Sequence, residues 1–224
     1  MFLIVPYEVR TLTGRRPWAN YLLVALNLLF FYLLVSNTLT DYWIHQMILD
    51  SWYAYALLGY QFLHGGLWHL LGNMVFLWVF GNAIAGVMNN FLYFALYLIM
   101  GVLAGCVHLL LDGAPAVGAS GAVSGLIGFY VAVYPVNRIH CFYFIIIRLG
   151  LFDAPGFWLI IAWFALNLYS ALHGGGQVAY WAHIGGAVAG FLLGLLFIKQ
   201  GWVDIGDYDN PTTLDYFTGR AASM

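Results

Sequence analysis

The sequence predicts an all-α polytopic membrane protein, a bundle of six transmembrane helices. Three observations predict it. The chain is 63% hydrophobic and only 7% charged, with a mean hydropathy of +0.86, and long apolar runs with few charges read as membrane spans. Its 224 residues hold about six spans of roughly 20 residues each. With six crossings, every lysine and arginine falls on one side of the bilayer.

The first 19 residues, "MFLIVPYEVRTLTGRRPWA", make a poor signal peptide. The basic residues come late, the following apolar run is long, and no small-residue cleavage site succeeds it. Arg15-Arg16 could open a twin-arginine signal, but the better reading is a cytoplasmic segment before an uncleaved span. The expected helices are Asn20–Ser36, Leu67–Met88, Phe91–Leu111, Ser120–Tyr134, Gly156–Leu172 and Tyr180–Lys199. The fourth is short and glycine-rich, so it is expected to be wrapped by the others and shielded from lipid. Between the first and second lies a long outer loop, 37–66. Its Trp43, Trp52, Tyr53, Tyr55 and Tyr60 suit the headgroup layer. The 135–155 loop contains "RIHCFYFIIIRLGLF", which is short for a span and is bracketed by Arg138 and Arg148, so it reads as an interfacial element. The organisation is thus a cytoplasmic segment, 1–19, a membrane domain, 20–199, and a polar, loosely ordered cytoplasmic tail, 200–224.

Orientation follows from Arg10, Arg15, Arg16, Arg138, Arg148, Lys199 and Arg220. With the N-terminal segment inside, all seven face the cytoplasm. The expected location is the plasma (inner) membrane. A formal charge of −2 without a basic cluster excludes nucleic acid as an expected partner. Cys106 and Cys141 fit neither a disulfide framework nor a CxxC metal site.

Polar residues inside spans are costly, so each needs a reason. The second helix carries His69 and Asn73 one turn apart on one face, with His64 just before it. The fourth opens with Ser120, in "GASGAVSG", and the sixth carries His183. At about 1.5 Å per residue, Ser120 lies roughly 22 Å above the inner end, and Asn73 and His183 roughly 24 Å. His69 is about one turn higher. Three helices therefore deliver polar side chains to one layer beneath the outer surface. Each residue alone could serve as hydrogen-bond glue between spans; as a set beside a glycine-rich helix start they permit chemistry.

A serine becomes a nucleophile when a base takes its proton. His183 is the candidate base. Ser120 sits at a helix N-terminus, where free N–H groups and the macrodipole favour developing negative charge. The Ser120 N–H, the Asn73 amide and the His69 imidazole could donate to an oxyanion. The only glutamate is Glu8, and the aspartates fall in loops or the tail, which disfavours an aspartyl protease. The absence of HExxH disfavours a zinc metalloprotease, and no metal or cofactor is expected. With Asp153 expected on the far face, a third triad member is missing, and a Ser–His dyad is the expectation. Gly118 and Gly121 allow tight backbone conformations and close approach of a substrate strand. Gly125, Gly128, Gly186, Gly190 and Gly194 allow close helix contact. Ser124 reads as a back-bond to the carbonyl four residues earlier.

The sequence resembles the rhomboid intramembrane serine proteases from about Tyr60 to Lys199. "GASG" at 118–121 is similar to the family's GxSG nucleophile motif, "HGGLWHLLGN" at 64–73 to its His-His-Asn pattern, and "AHIGG" at 182–186 to its catalytic-histidine motif. The resemblance implies Ser120 as nucleophile, His183 as general base, Asn73 and His69 as oxyanion partners and His64 as support. It implies a water-filled cavity open to the extracytoplasmic side. The implied substrates are single-span membrane proteins, cut in or near their outer membrane segment. The fifth helix and the "LHGGGQVAY" loop would form a gate.

The sequence departs from the family pattern in three places. Ser124 stands where many relatives carry an aromatic positioned against the catalytic histidine, so either something else orients His183 or its geometry is looser. The Trp-Arg pair of the first outer loop is absent. The acidic residue late in the second helix is replaced in "FGNAIAG". The alternative function is a non-proteolytic rhomboid-like binding or chaperone protein; such proteins usually lack the nucleophile or the base, and both are present here. A transporter would predict internal repeats, and none of convincing length is seen. The sequence leaves the oligomeric state open.

Overall fold

The computed structural model describes residues 2–9, 11, 15–145, 148–174, 178–205 and 210–222. It begins with strand β1 (Phe2–Val9) and helix α1 (Trp18–Val35). Two short helices in the outer loop follow, α2 (Asp41–Met47) and α3 (Ala54–Gly59), then a 3-10 turn at Tyr60–Phe62. The second long helix is composite: α4 (Leu67–Phe76), a π-helical turn (Leu77–Gly81) and α5 (Asn82–Ala85). Next come α6 (Asn90–Leu111), α7 (Ser120–Val133), strands β2 (Arg138–Ile145) and β3 (Arg148–Pro155), α8 (Gly156–Leu172), α9 (Tyr180–Lys199) and α10 (Thr213–Thr218).

Among the described residues, four helices are long and apolar enough to cross a membrane: Trp18–Val35, Leu67–Ala85, Asn90–Leu111 and Tyr180–Lys199. Two apolar helices are shorter, Ser120–Val133 and Gly156–Leu172. The chain is an integral membrane protein, predominantly helical. At 14 residues α7 extends only about 21 Å, less than the roughly 30 Å of a bilayer core. Its surroundings account for this, because every residue from Gly121 to Val133 is buried by protein.

Helices α7 and α9 pack backbone against backbone. A Cβ on Gly186 would fall on the Gly121 carbonyl oxygen, one on Gly190 on that of Gly125, and one on Gly128 on that of Ala187. The two backbones therefore touch, as small residues at four-residue spacing permit. Lower in the bundle, buried Asn20 of α1 ties three elements together. Its amide nitrogen donates to Leu77 O (3.0 Å) and Asn82 Oδ1 (2.8 Å), and its oxygen accepts from the Tyr93 hydroxyl (2.6 Å). Asn82 lies in the segment from which the family's acidic residue is missing.

Three features correct or extend the sequence reading. The 135–155 loop is a β-hairpin, and with β1 it forms a three-stranded antiparallel sheet in the order β1-β2-β3. β2 is rich in β-branched and aromatic residues, and Pro6 keeps β1 out of a helix. The register shifts between Pro6 and Glu8, where proline has no N–H to give. Asp153, in β3, pairs with Arg138 Nε at 2.6 Å and does not serve the histidine site.

The second correction concerns the tail. Its 213–218 segment is a helix with a capping box between Thr212 and Asp215, and Thr213 Oγ1 donates to Val131 O at 2.8 Å, docking it under α7. Third, Tyr60 is not a headgroup-layer residue: it is 2% exposed and its hydroxyl donates to Gly101 O at 2.6 Å. Trp43, Trp52, Tyr53 and Tyr55 are exposed. Both cysteines are free thiols. Of the expected gate loop, 175–177 lie outside the described residues, as do Arg10, Asp207 and Asp209.

Candidate active site

Ser120 is the first residue of α7, so its N–H and those after it in the first turn have no intrahelical acceptor. The loop delivering it is held firmly. Gly118 has φ +130°, a conformation that L side chains rarely adopt, and its N–H donates to Tyr60 O at 2.8 Å. Tyr60 is in turn fixed to α6 through Gly101. A Cβ on Gly118 would stand 2.7 Å from His69 Nε2 and 3.7 Å from Ser120 Oγ, so this glycine leaves open the space between the two. Gly121 is equally constrained: a Cβ there would meet Ala104 Cβ at 2.8 Å and the Tyr60 hydroxyl at 2.9 Å.

A cavity of about 270 Å³ is lined by His69, Asn73, Ser120, Ser124, Trp163 and His183, among others. Polar side chains from α4, α7 and α9 thus meet around one cavity. Among the described residues no hydrogen bond joins Ser120 directly to His183, and a free site commonly tightens such contacts only when substrate binds. Ser124 is occupied elsewhere: its hydroxyl donates to Ser120 O at 2.7 Å.

Two further contacts define the donors. Gly65 N–H donates to His69 Nδ1 at 3.4 Å, so a neutral His69 ring carries its proton on Nε2, the nitrogen beside Gly118. Asn73 gives one amide hydrogen to His69 O at 2.9 Å and keeps its second. His64 does not line the cavity. It is 1% exposed, its ring is edge-on to that of His69 at 5.2 Å, and burial, then His69, pushes its pKa down to about 4.

The sequence reading missed two residues of α8. Asn167 Oδ1 lies 2.7 Å from His183 Nδ1, and Trp163 stacks on the His183 ring at 6.1 Å and 25°. Asn167 Nδ2 donates to Trp163 O at 2.8 Å. A signal was present: an asparagine inside an apolar run is as costly as the histidines, and the same rule applied to the fifth helix would have flagged it.

The Rhomboid domain family model matches residues 51–200, which contain every one of these side chains. The chain belongs to the rhomboid family. Its rhomboid relatives include Rhomboid protein 1, mitochondrial, of Saccharomyces cerevisiae, 30% identical over 156 residues, covering 64% of this chain and 42% of the relative. Rhomboid protease GluP of Bacillus subtilis is 29% identical, covering 58% of this chain and 27% of the relative. Presenilin-associated rhomboid-like protein, mitochondrial, of Bos taurus is 29% identical, with 62% and 36% covered. The chain therefore spans less than half the length of these relatives.

Proposed function

We propose that this rhomboid is an intramembrane serine endopeptidase working through a Ser120–His183 dyad. The Ser120 oxygen attacks the scissile carbonyl carbon while its proton passes to His183. The tetrahedral oxyanion accepts hydrogen bonds from the Ser120 N–H, the second Asn73 amide hydrogen and His69 Nε2–H. Collapse breaks the C–N bond, and His183 returns the proton to the departing amine. Water, deprotonated by His183, then cleaves the acyl-enzyme and restores the serine.

The observation that carries this reading is the shared cavity: Ser120 and His183 line it together from two helices whose backbones touch. The substrates are single-span membrane proteins cut in or near their outer membrane segment, where helix-destabilising residues let a strand extend into the cavity. The membrane domain is 20–199, with 1–19 and 200–224 on the cytoplasmic side of a plasma (inner) membrane and the cavity opening to the other face. The one-sided distribution of Lys and Arg supports that orientation.

The test is reconstitution of the purified chain with a single-span substrate. Cleavage is expected in wild type and abolished in Ser120→Ala and His183→Ala. Cleavage that persists in Ser120→Ala and vanishes in Ser124→Ala would move the nucleophile; substrate binding without cleavage would favour the non-proteolytic alternative.

A further inference from the structure

We propose that Asn167 is the positioning residue of the catalytic base, supplied by α8 in place of an orienting aromatic on α7. The proposal rests on the dyad reading above. The Asn167 amide cannot be turned over. Its nitrogen end faces Trp163 O at 2.8 Å, and a carbonyl can only accept, so the end facing His183 is Oδ1. Oδ1 is itself only an acceptor, so His183 Nδ1 carries the proton and donates it. The neutral ring is then left with its lone pair on Nε2, the form a general base requires. Trp163 adds a stacked face one turn away on the same helix and fixes the plane of the ring.

Two other observations assign this role to α8. On α7, the residue one turn below the nucleophile is Ser124; its hydroxyl hydrogen is committed to Ser120 O, and it has no aromatic face to offer the histidine. On α8, the buried residues are Gly156 and Asn167 alone. An amide buried on an apolar helix is expensive, and the recorded partner of its oxygen is His183.

The experiment uses the full chain in proteoliposomes, with cleavage of a single-span substrate and thermal unfolding measured on each variant. Wild type must first cleave; failure there rejects the protease reading and not the role of Asn167 within it. Asn167→Ala is expected to lower kcat about 10- to 100-fold at nearly constant KM and unfolding temperature, the usual cost of removing a group that orients an imidazole. Asn167→Asp, which keeps an acceptor at the same place, is expected to recover most of the loss. If Asn167→Ala fails to fold, Asn167→Gln displaces the acceptor by one methylene and should lose kcat in the same way. Wild-type kcat in the Ala or Gln variant would overturn the proposal. So would an Asp variant no better than Ala, because the amide would then be structural glue.

Discussion

Gly186 of α9 lies against the carbonyl oxygen of Gly121 in α7, with no room for a Cβ between them. Gly121 follows Ser120 directly and Gly186 is three residues after His183, so this contact sets the distance across which the two side chains must act. A larger residue must push the helices apart. Gly186→Val is expected to destabilise the bundle by about 1–3 kcal/mol through overpacking. It should also reduce turnover more than that loss of stability explains. Comparing turnover with thermal unfolding in detergent separates the two effects; a variant with wild-type turnover would show that the spacing is not set here.

The Asn73 amide gives one hydrogen to His69 O and holds the other in reserve beside the cavity. If that second bond strengthens only when negative charge develops, its loss appears in kcat and not in KM. Asn73→Ala is therefore expected to lower kcat about 10²- to 10³-fold, the range for removing one oxyanion donor. Steady-state kinetics on a single-span substrate decide it, and an equal loss of kcat and folding stability would assign the amide a structural role.

His64 gives the fold a dependence on pH. Its pKa in the folded chain is pushed down to about 4 by burial, with His69 adding to the effect. In the unfolded chain it is about 6.5. The unfolded state thus binds more protons between those values, and stability falls as pH drops through them. It is fully present above about 6.5. Wild type is expected to lose unfolding temperature steadily between pH 6.5 and 4. In His64→Gln that slope should be shallower, measured by scanning calorimetry or a dye-based melt across the same buffers. Identical slopes would show that another group carries the acid sensitivity.

Much of this molecule is legible in its sequence, for a physical reason. A bilayer demands long apolar helices and penalises every polar group inside them, so Ser120, His183, His69 and Asn73 stand out against their surroundings. Gly156–Leu172 and Tyr180–Lys199 are also the observed bounds of α8 and α9. The sheet was not legible because β1 and β2 are far apart in sequence, and a short apolar strand looks like an interfacial segment until its partner is known. Tyr60 misled because an aromatic beside a span suits the headgroup layer and the core equally well. Asn167 is not legible as a site residue because its meaning depends on a lateral contact with His183 that no linear spacing reveals.

The central claim is that Ser120 is activated by His183, and covalent labelling reads it most directly. Wild-type protein in liposomes, treated with a fluorophosphonate or isocoumarin probe and mapped by mass spectrometry, is expected to carry the probe on Ser120. The His183→Ala variant should fold and remain unlabelled. Labelling of Ser124 instead of Ser120, or undiminished labelling of Ser120 without His183, would contradict the account.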